Sequence, residues 1–280
     1  MRSSEDRRRR ARGAFRTVIH DLRPIVMNPP KREPPGARGS ECPNLTLLKI
    51  PMPNDRVTSL TGSLRRHLYP VLRPIFSPIP RDAIQGMRRN YTEQLPKTMR
   101  FKTAYLESPT SRAYRAAEYL GVIDLLCSEE LRLFAERTSR TSLVPDPGCQ
   151  VICYESGDFC GPHNDHHPEE SHLRNGYIDV HVMLSEPMVA SQLLIYEKRR
   201  GLLNAVEEVG QGFGIAVYRL PFWHYTTPLI AQCVARNARR WLLLASFEIR
   251  RRRRTPNKRI TADSPQASLR LAGYARRYTS

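Results

Sequence analysis

From residue 149 onward, apolar and polar positions alternate with a period of two or gather into short apolar blocks. CQVICYE (149–155), YIDVHVML (177–184), SQLLIYE (191–197), FGIAVYRL (213–220), FWHYTTPL (222–229) and RWLLLASFEI (240–249) all follow that pattern. Turn-rich stretches such as SGDFCGP and EEVGQG divide them, so each reads as a strand. Six or more short strands without intervening helices predict an antiparallel barrel or jelly roll. In YIDVHVML, alternation puts Tyr177, Asp179, His181 and Met183 on one face and Ile178, Val180, Val182 and Leu184 on the other. The polar face is expected to look into the barrel mouth.

Ahead of the strands the period changes. SPTSRAYRAAEYLG (108–121) reads as a helix opened by Ser108 and Pro109 and stopped by Gly121. SEELRLFAERTSR (128–140) has Ser128 as N-cap, acidic residues in its first turn and arginines at its end, the charge order that suits the helix dipole. Its apolar stripe is Leu131, Phe134 and Ala135. Both helices are expected to pack on one face of a sheet. Residues 46–100 scatter Leu, Ile and Met among prolines, and LYPVLRPIFSPIP (68–80) reads as extended or irregular, because proline interrupts both ladders and helices. Residues 1–45 are rich in Arg, Pro, Gly and Ser and are expected to be disordered. The division that follows is a basic, Pro-rich tail (1–45), an irregular and helical support region (46–148), a β core (149–250) and a basic C-terminal tail (251–280).

The net charge of +18 sharpens that division. Residues 1–99 hold 20 basic and 8 acidic side chains, residues 100–249 hold 15 and 18, and residues 250–280 hold 10 and 1. The excess therefore lies at the ends, in runs such as RRRRAR (7–12) and RRRRRTPNKR (250–259). Tails of that kind bind polyanions without sequence specificity. A domain built to grip nucleic acid would carry its charge on one face of the fold. No apolar run approaches the length of a membrane span, and no apolar stretch follows the basic N-terminus as in a secretory signal. The six cysteines, Cys42, Cys127, Cys149, Cys153, Cys160 and Cys233, form no CxxC pair, so a reduced, cytoplasmic chain is expected.

The candidate chemistry gathers in GPHNDHHPEESH (161–172), with four histidines and three carboxylates in twelve residues. On an extended segment, side chains two apart point the same way, so His163 and Asp165 can reach one ion. His224, inside FWHYTTPL, is the candidate third ligand. Two imidazoles and one carboxylate make the facial ligand set of non-haem Fe(II) oxygenases, which leaves three coordination positions open. His166, His167, Glu169, Glu170 and His172 are expected to line the rim.

These segments carry a family likeness. YESGDFCGPHND (154–165) resembles the Y-x-x-G…H-x-D segment of the Fe(II)/2-oxoglutarate-dependent dioxygenases, particularly their prolyl-hydroxylase-like group, through Tyr154, Gly157, Pro162, His163 and Asp165. WHYTTPL resembles that group's distal-histidine strand, and RWLLLASF its last strand, which opens with the basic residue that binds 2-oxoglutarate. The likeness covers roughly residues 125–249. It implies a double-stranded β-helix (jelly roll) buttressed by N-terminal helices. It also implies Fe(2+) held by His163, Asp165 and His224, with 2-oxoglutarate as co-substrate and ascorbate as an accessory reductant. Arg240 would hold the co-substrate's free carboxylate, because a guanidinium fork matches a carboxylate, with Tyr154 as a further contact. His181, on the polar face of YIDVHVML, is a candidate contact to the co-substrate or to a ligand's own partner. The interval from His224 to Arg240 is longer than in most of the group, which leaves Arg239 and Arg236 as alternatives; Arg240 is preferred because it opens an apolar strand. The family's halogenases replace the carboxylate ligand with a small residue, so Asp165 implies hydroxylation. The substrate (protein, amino acid or small molecule) is not legible. Two other readings stand beside this one: a cupin-like jelly roll that binds another metal without catalysis, and an oxygenase directed to nucleic acid by the tails. The first has no need of Arg240, and the second is opposed by the near-neutral core.

Overall fold

In the computed structural model the described residues are 12–19, 45–79, 97–165, 176–199, 202–232 and 238–250. They belong to one compact unit that ends at Arg250. The strands are β1 (Leu45–Lys49), β2 (Arg73–Pro78), β3 (Thr98–Tyr105), β4 (Gly148–Glu155), β5 (Phe159–His163), β6 (Tyr177–Ser185), β7 (Val189–Ser191), β8 (Leu193–Arg199), β9 (Leu202–Glu208), β10 (Phe213–Leu220), β11 (His224–Thr226), β12 (Ile230–Ala231) and β13 (Arg239–Glu248). Ahead of β4 the described residues include the α-helices α1 (Asn54–His67), α2 (Arg112–Leu120), α3 (Val122–Leu126) and α4 (Glu129–Ser139).

The strands bond antiparallel in the order β1-β10-β6-β13-β4-β3-β5-β11-β8-β9, with β2 beside β3. This long sheet folds over on itself. Ile152, Met183, Ala216 and Leu242 from its first half pack in one cluster with Cys160 and Leu194 from its second. That closure is the expected jelly roll. Alternation sorts the residues between two cores. On β6, Tyr177 and Met183 face the interior of the roll, while Ile178, Val180, Val182 and Leu184 face the helices. On β13, Leu242 and Leu244 point inward and Trp241, Leu243, Ala245 and Phe247 outward.

The helical layer differs in detail from the sequence expectation. The 108–121 helix is capped by Ser111, whose side chain accepts from the Tyr114 N–H, while Ser108 bonds Thr110 instead. Gly121 does end it, with φ of 79°, a left-handed conformation that suits glycine. The second helix starts where expected, with the Ser128 hydroxyl accepting from Leu131, and its stripe of Leu131, Phe134 and Ala135 is buried. The region read as irregular contains α1, whose Val57, Leu60, Thr61 and Leu64 form a buried helical stripe, together with β1, β2 and β3. Pro74 and Pro78 fit within β2 because, among the described residues, it pairs only with β3, and an edge strand tolerates missing donors.

The boundary drawn at residue 45 also shifts. Within the stretch expected to be disordered, residues 12–19 dock on the helices: Phe15 and Val18 are fully buried, and the Gly13 and Phe15 N–H groups donate to the carbonyls of Tyr119 and Leu120. Residues 1–11, 20–44 and the C-terminal tail 251–280 lie outside the described residues. The strand expected over 222–229 contracts to His224–Thr226, because the register slips there and Pro228 has no N–H to offer. Among the described residues, no helix is long and apolar enough to cross a membrane.

Candidate metal centre

β5 ends at His163, and β11 begins at His224. The two are cross-strand partners, so pairing brings their imidazoles together with ring centroids 4.2 Å apart and planes tilted by 51°. Asp165 follows two residues after His163 with φ of 51°, a left-handed conformation that aspartate tolerates better than most residues. The buried Tyr177 at the start of β6 donates its hydroxyl to the Asp165 carbonyl at 2.6 Å, which fixes that turn. The Asp165 carboxylate then lies 3.6 Å from the Nε2 atoms of both histidines, and one ligand atom from each residue falls within 4.8 Å of the others.

Each imidazole is aimed by its other nitrogen. The Nδ1 of His163 lies 2.8 Å from the Gly161 carbonyl, and that of His224 3.1 Å from the Phe222 carbonyl. A carbonyl only accepts, so both Nδ1 atoms carry hydrogen and both Nε2 atoms face Asp165. This is the outer arrangement that orients metal-binding histidines. Two ligands 2.1 Å from one ion and at right angles to each other are about 3.0 Å apart, so the Asp165 carboxylate must approach each histidine by about 0.6 Å to share a transition metal. Burial disfavours charge on both rings. At His163 the pull of Cys160 and Asp165 wins and the pKa is pushed up to about 10. At His224 burial wins, reinforced by His163, and the pKa falls to about 3.

Deeper in the roll lies a second polar group. Arg240, at the start of β13, is 1% exposed. Its Nη1 donates to the Gln192 Oε1 at 2.9 Å and its Nη2 to the Met183 sulfur at 3.3 Å, while Nε has no partner among the described residues. No carboxylate among the described residues forms an ion pair with it, and burial lowers its pKa from the usual guanidinium value. The guanidinium carbon sits 5.7 Å from the centre of the Tyr154 ring. The Tyr154 hydroxyl is hydrogen-bonded to Thr226, two residues from His224, and so spans the interval between the two groups. Arg239, one position earlier, points to the other face: it pairs with Glu155 at 3.1 Å and lies over the Tyr69 ring.

β6 connects the same two ends. Tyr177 holds the Asp165 turn and Met183 touches Arg240; Asp179 and His181 lie between them in the chain and on the same face. Among the described residues, Asp179 Oδ1 and both His181 ring nitrogens are buried without hydrogen-bond partners, and the two side chains are 3.8 Å apart, longer than a hydrogen bond. Burial raises the Asp179 pKa against the opposing effects of His181 and Ser246. The Tyr218 ring packs at 4.3 Å from His181 and 5.4 Å from His224.

Of the residues singled out in the sequence, His163, Asp165 and His224 thus converge on one point. Arg240, Tyr154 and His181 line the interior of the roll, and Arg239 does not. The candidates His166, His167, Glu169, Glu170, His172 and Arg236 lie outside the described residues. Gln192 and Tyr218 escaped sequence reading. A glutamine opening an apolar run and a tyrosine on the inward face of FGIAVYRL were the available signals.

No protein-family model matches the chain, and no curated protein matches it. Among solved structures, a prolyl-4-hydroxylase from Pseudomonas putida is similar at 17% identity and a TM-score of 0.46, over 82% of this chain and 99% of that one. SnoN, a non-haem α-ketoglutarate-dependent epimerase from nogalamycin biosynthesis, is similar at 10% identity and a TM-score of 0.45, over 92% and 97%. SnoK, a carbocyclase from the same biosynthesis, is similar at 8% identity and a TM-score of 0.44, over 81% and 91%. At such identities and scores the chemistry of this site must be read from its own residues.

Proposed function

We propose that this chain is an Fe(II)- and 2-oxoglutarate-dependent oxygenase that hydroxylates its substrate. In this reading His163, Asp165 and His224 hold iron and Arg240 holds the free carboxylate of 2-oxoglutarate. The supporting observation is the buried guanidinium with no ion-pair partner among the described residues, enclosed in the same roll as three residues that could hold a metal. An uncompensated buried charge costs several kcal/mol, and a ligand carboxylate offsets that cost. A metal-binding module without a co-substrate has no use for it. Iron and 2-oxoglutarate, when bound, supply oxidation of a C–H bond by dioxygen with release of succinate and carbon dioxide.

The chain's own residues orient and exclude. The Gly161 and Phe222 carbonyls hold both imidazoles with Nε2 forward. Gln192 is fixed through Nε2 to the Thr227 carbonyl at 3.0 Å, so its Oε1 presents a set acceptor to Arg240. Tyr154, Met183, Leu242 and Leu244 wall the interior and keep water from the guanidinium. His181, with two unpaired nitrogens, is a further candidate contact to the co-substrate. The free thiols of Cys127, Cys149, Cys153 and Cys160 suit a reducing, cytoplasmic setting. The test is succinate formation from 2-oxoglutarate by the purified full chain, with and without Fe(II), followed by a screen of proteins, amino acids and small molecules for coupled turnover. If the metal-loaded chain neither binds 2-oxoglutarate in calorimetry nor converts it to succinate, the reading is wrong.

A further inference from the structure

Away from the roll's interior, two thiols face each other across the junction of helix and sheet. Cys127 stands at the C-cap of α3 and Cys149 is the second residue of β4, and their sulfurs are 3.9 Å apart. Cys127 is exposed and Cys149 buried. From the geometry we infer that Cys127 and Cys149 form a peroxide-responsive site that closes to a reversible disulfide pinning the helical layer to β4.

An asymmetric pair of this kind suits stepwise oxidation. The exposed thiol meets the oxidant and the buried one resolves the product. Hydrogen bonding from Cys149 favours a thiolate at Cys127, against burial and the nearby Asp146 and Asp124, while the same contact and burial push the Cys149 thiol far up. The thiolate is the nucleophile. Attack of Cys127 sulfur on hydrogen peroxide breaks the O–O bond, leaving a sulfenic acid on Cys127 and releasing hydroxide. Cys149 sulfur then attacks Cys127 sulfur and gives up its proton, and the sulfenic oxygen leaves as water. Two thiols are oxidised by two electrons and one peroxide becomes two waters. Closing the gap from 3.9 Å to the bonded distance of about 2.05 Å takes roughly 2 Å of movement, which a side chain at a helix C-cap can supply by rotating. Of the other described thiols, Cys153 is fully buried and Cys160 lies beside His163, so neither offers a competing exposed entry.

The experiment exposes the reduced full chain to hydrogen peroxide, with and without EDTA. It is then alkylated in denaturant and the cysteine-containing peptides are mapped. The expected product is a single cross-link between Cys127 and Cys149 that dithiothreitol removes, with a rise in Tm on the order of 5 °C for the oxidised form. Cys149→Ser should leave Cys127 trapped as a sulfenic acid that dimedone labels, and Cys127→Ser should make Cys149 unreactive. If peroxide takes wild-type Cys127 to sulfinic acid while Cys149 stays free, or if Cys149 is linked to another cysteine, the inference is overturned.

Discussion

Replacing Arg240 with methionine separates what this residue costs the fold from what it gives a ligand. The substitution keeps a long apolar stem and removes the charge. Two contacts disappear, to Gln192 at 2.9 Å and to the Met183 sulfur at 3.3 Å, and an Nε without a partner disappears with them. Hydrogen bonds from a charged donor are worth about 1.5–3 kcal/mol each, whereas burying the charge costs several kcal/mol. The ligand-free variant should therefore be no less stable than the wild type, and more stable by up to about 4 kcal/mol, as when other buried charges give way to apolar residues. The reverse holds once 2-oxoglutarate is present. Losing the cation opposite a buried carboxylate costs on the order of 2–5 kcal/mol, or about thirtyfold to several-thousandfold in affinity.

Thermal melts of the Mn(II)-loaded protein, with and without 2-oxoglutarate, read both effects. At a ligand concentration about 100 times the wild-type Kd, binding stabilises the wild type by about 2.7 kcal/mol. A chain of this size gains about 2–4 °C per kcal/mol, so the wild type should shift by about 5–10 °C and the variant by about 3 °C or less. Arg240→Lys should recover part of the shift, since an ammonium keeps the charge but loses the fork. Arg239→Ala should lower the melting temperature through Glu155 and Tyr69 while leaving the ligand shift intact. A full shift in Arg240→Met, or a shift lost in Arg239→Ala alone, would refute the assignment.

His163→Ala, Asp165→Ala and His224→Ala should each drop metal content well below one ion per chain by elemental analysis; two variants that keep full stoichiometry would break the triad. Gln192→Leu should raise the 2-oxoglutarate requirement severalfold in succinate assays without changing metal content, because the acceptor that positions Arg240 is lost. Removing residues 1–19 uncovers the sites of Phe15 and Val18 and should cost about 3–6 kcal/mol in denaturant unfolding, whereas removing only residues 1–11 should cost little. Burial pushes the Glu155 carboxyl up, but Lys102, Tyr69 and Arg239 outweigh it and hold its pKa below the usual value. Its contribution is then fully present above the unfolded pKa of about 4.3 and is lost as pH falls through the lower folded value, so the stability gap between wild type and Glu155→Gln should close on acidification.

Local pattern reveals part of this molecule and hides part. The helix stripe of Leu131, Phe134 and Ala135 and the two faces of β6 depend on residues a few positions apart, and both were legible. The stripe of α1 was equally local, with Val57, Leu60, Thr61 and Leu64 at helical spacing, but Pro51, Pro53 and Pro70 crowd its ends and make the region read as broken. Those prolines flank the helix and do not interrupt it. Phe15 and Val18 were hidden for a different reason: two apolar residues in an arginine-rich stretch carry no period, and their burial depends on the C-terminal end of α2, about a hundred residues away.

Parity along one strand separates the two neighbouring arginines. Side chains alternate on β13, so a guanidinium at 240 shares its face with Leu242 and Leu244 inside the roll, and one at 239 shares its face with Trp241 and Leu243 against the helices. The apolar run alone fixes that Arg239 and Arg240 diverge, but not which one enters the interior, since both faces of the strand are buried and equally hydrophobic. The choice is made by partners distant in sequence. Glu155 and Tyr69 meet Arg239 with a carboxylate and an aromatic face, so its charge is compensated within the protein. Gln192, Met183 and Tyr154 meet Arg240 with an amide, a thioether and a ring, none of which carries a negative charge. Among the described residues one arginine is paired and the other meets no carboxylate, and in the proposed function this difference in partners, more than the histidine cluster, separates a co-substrate-dependent enzyme from a metal-binding roll.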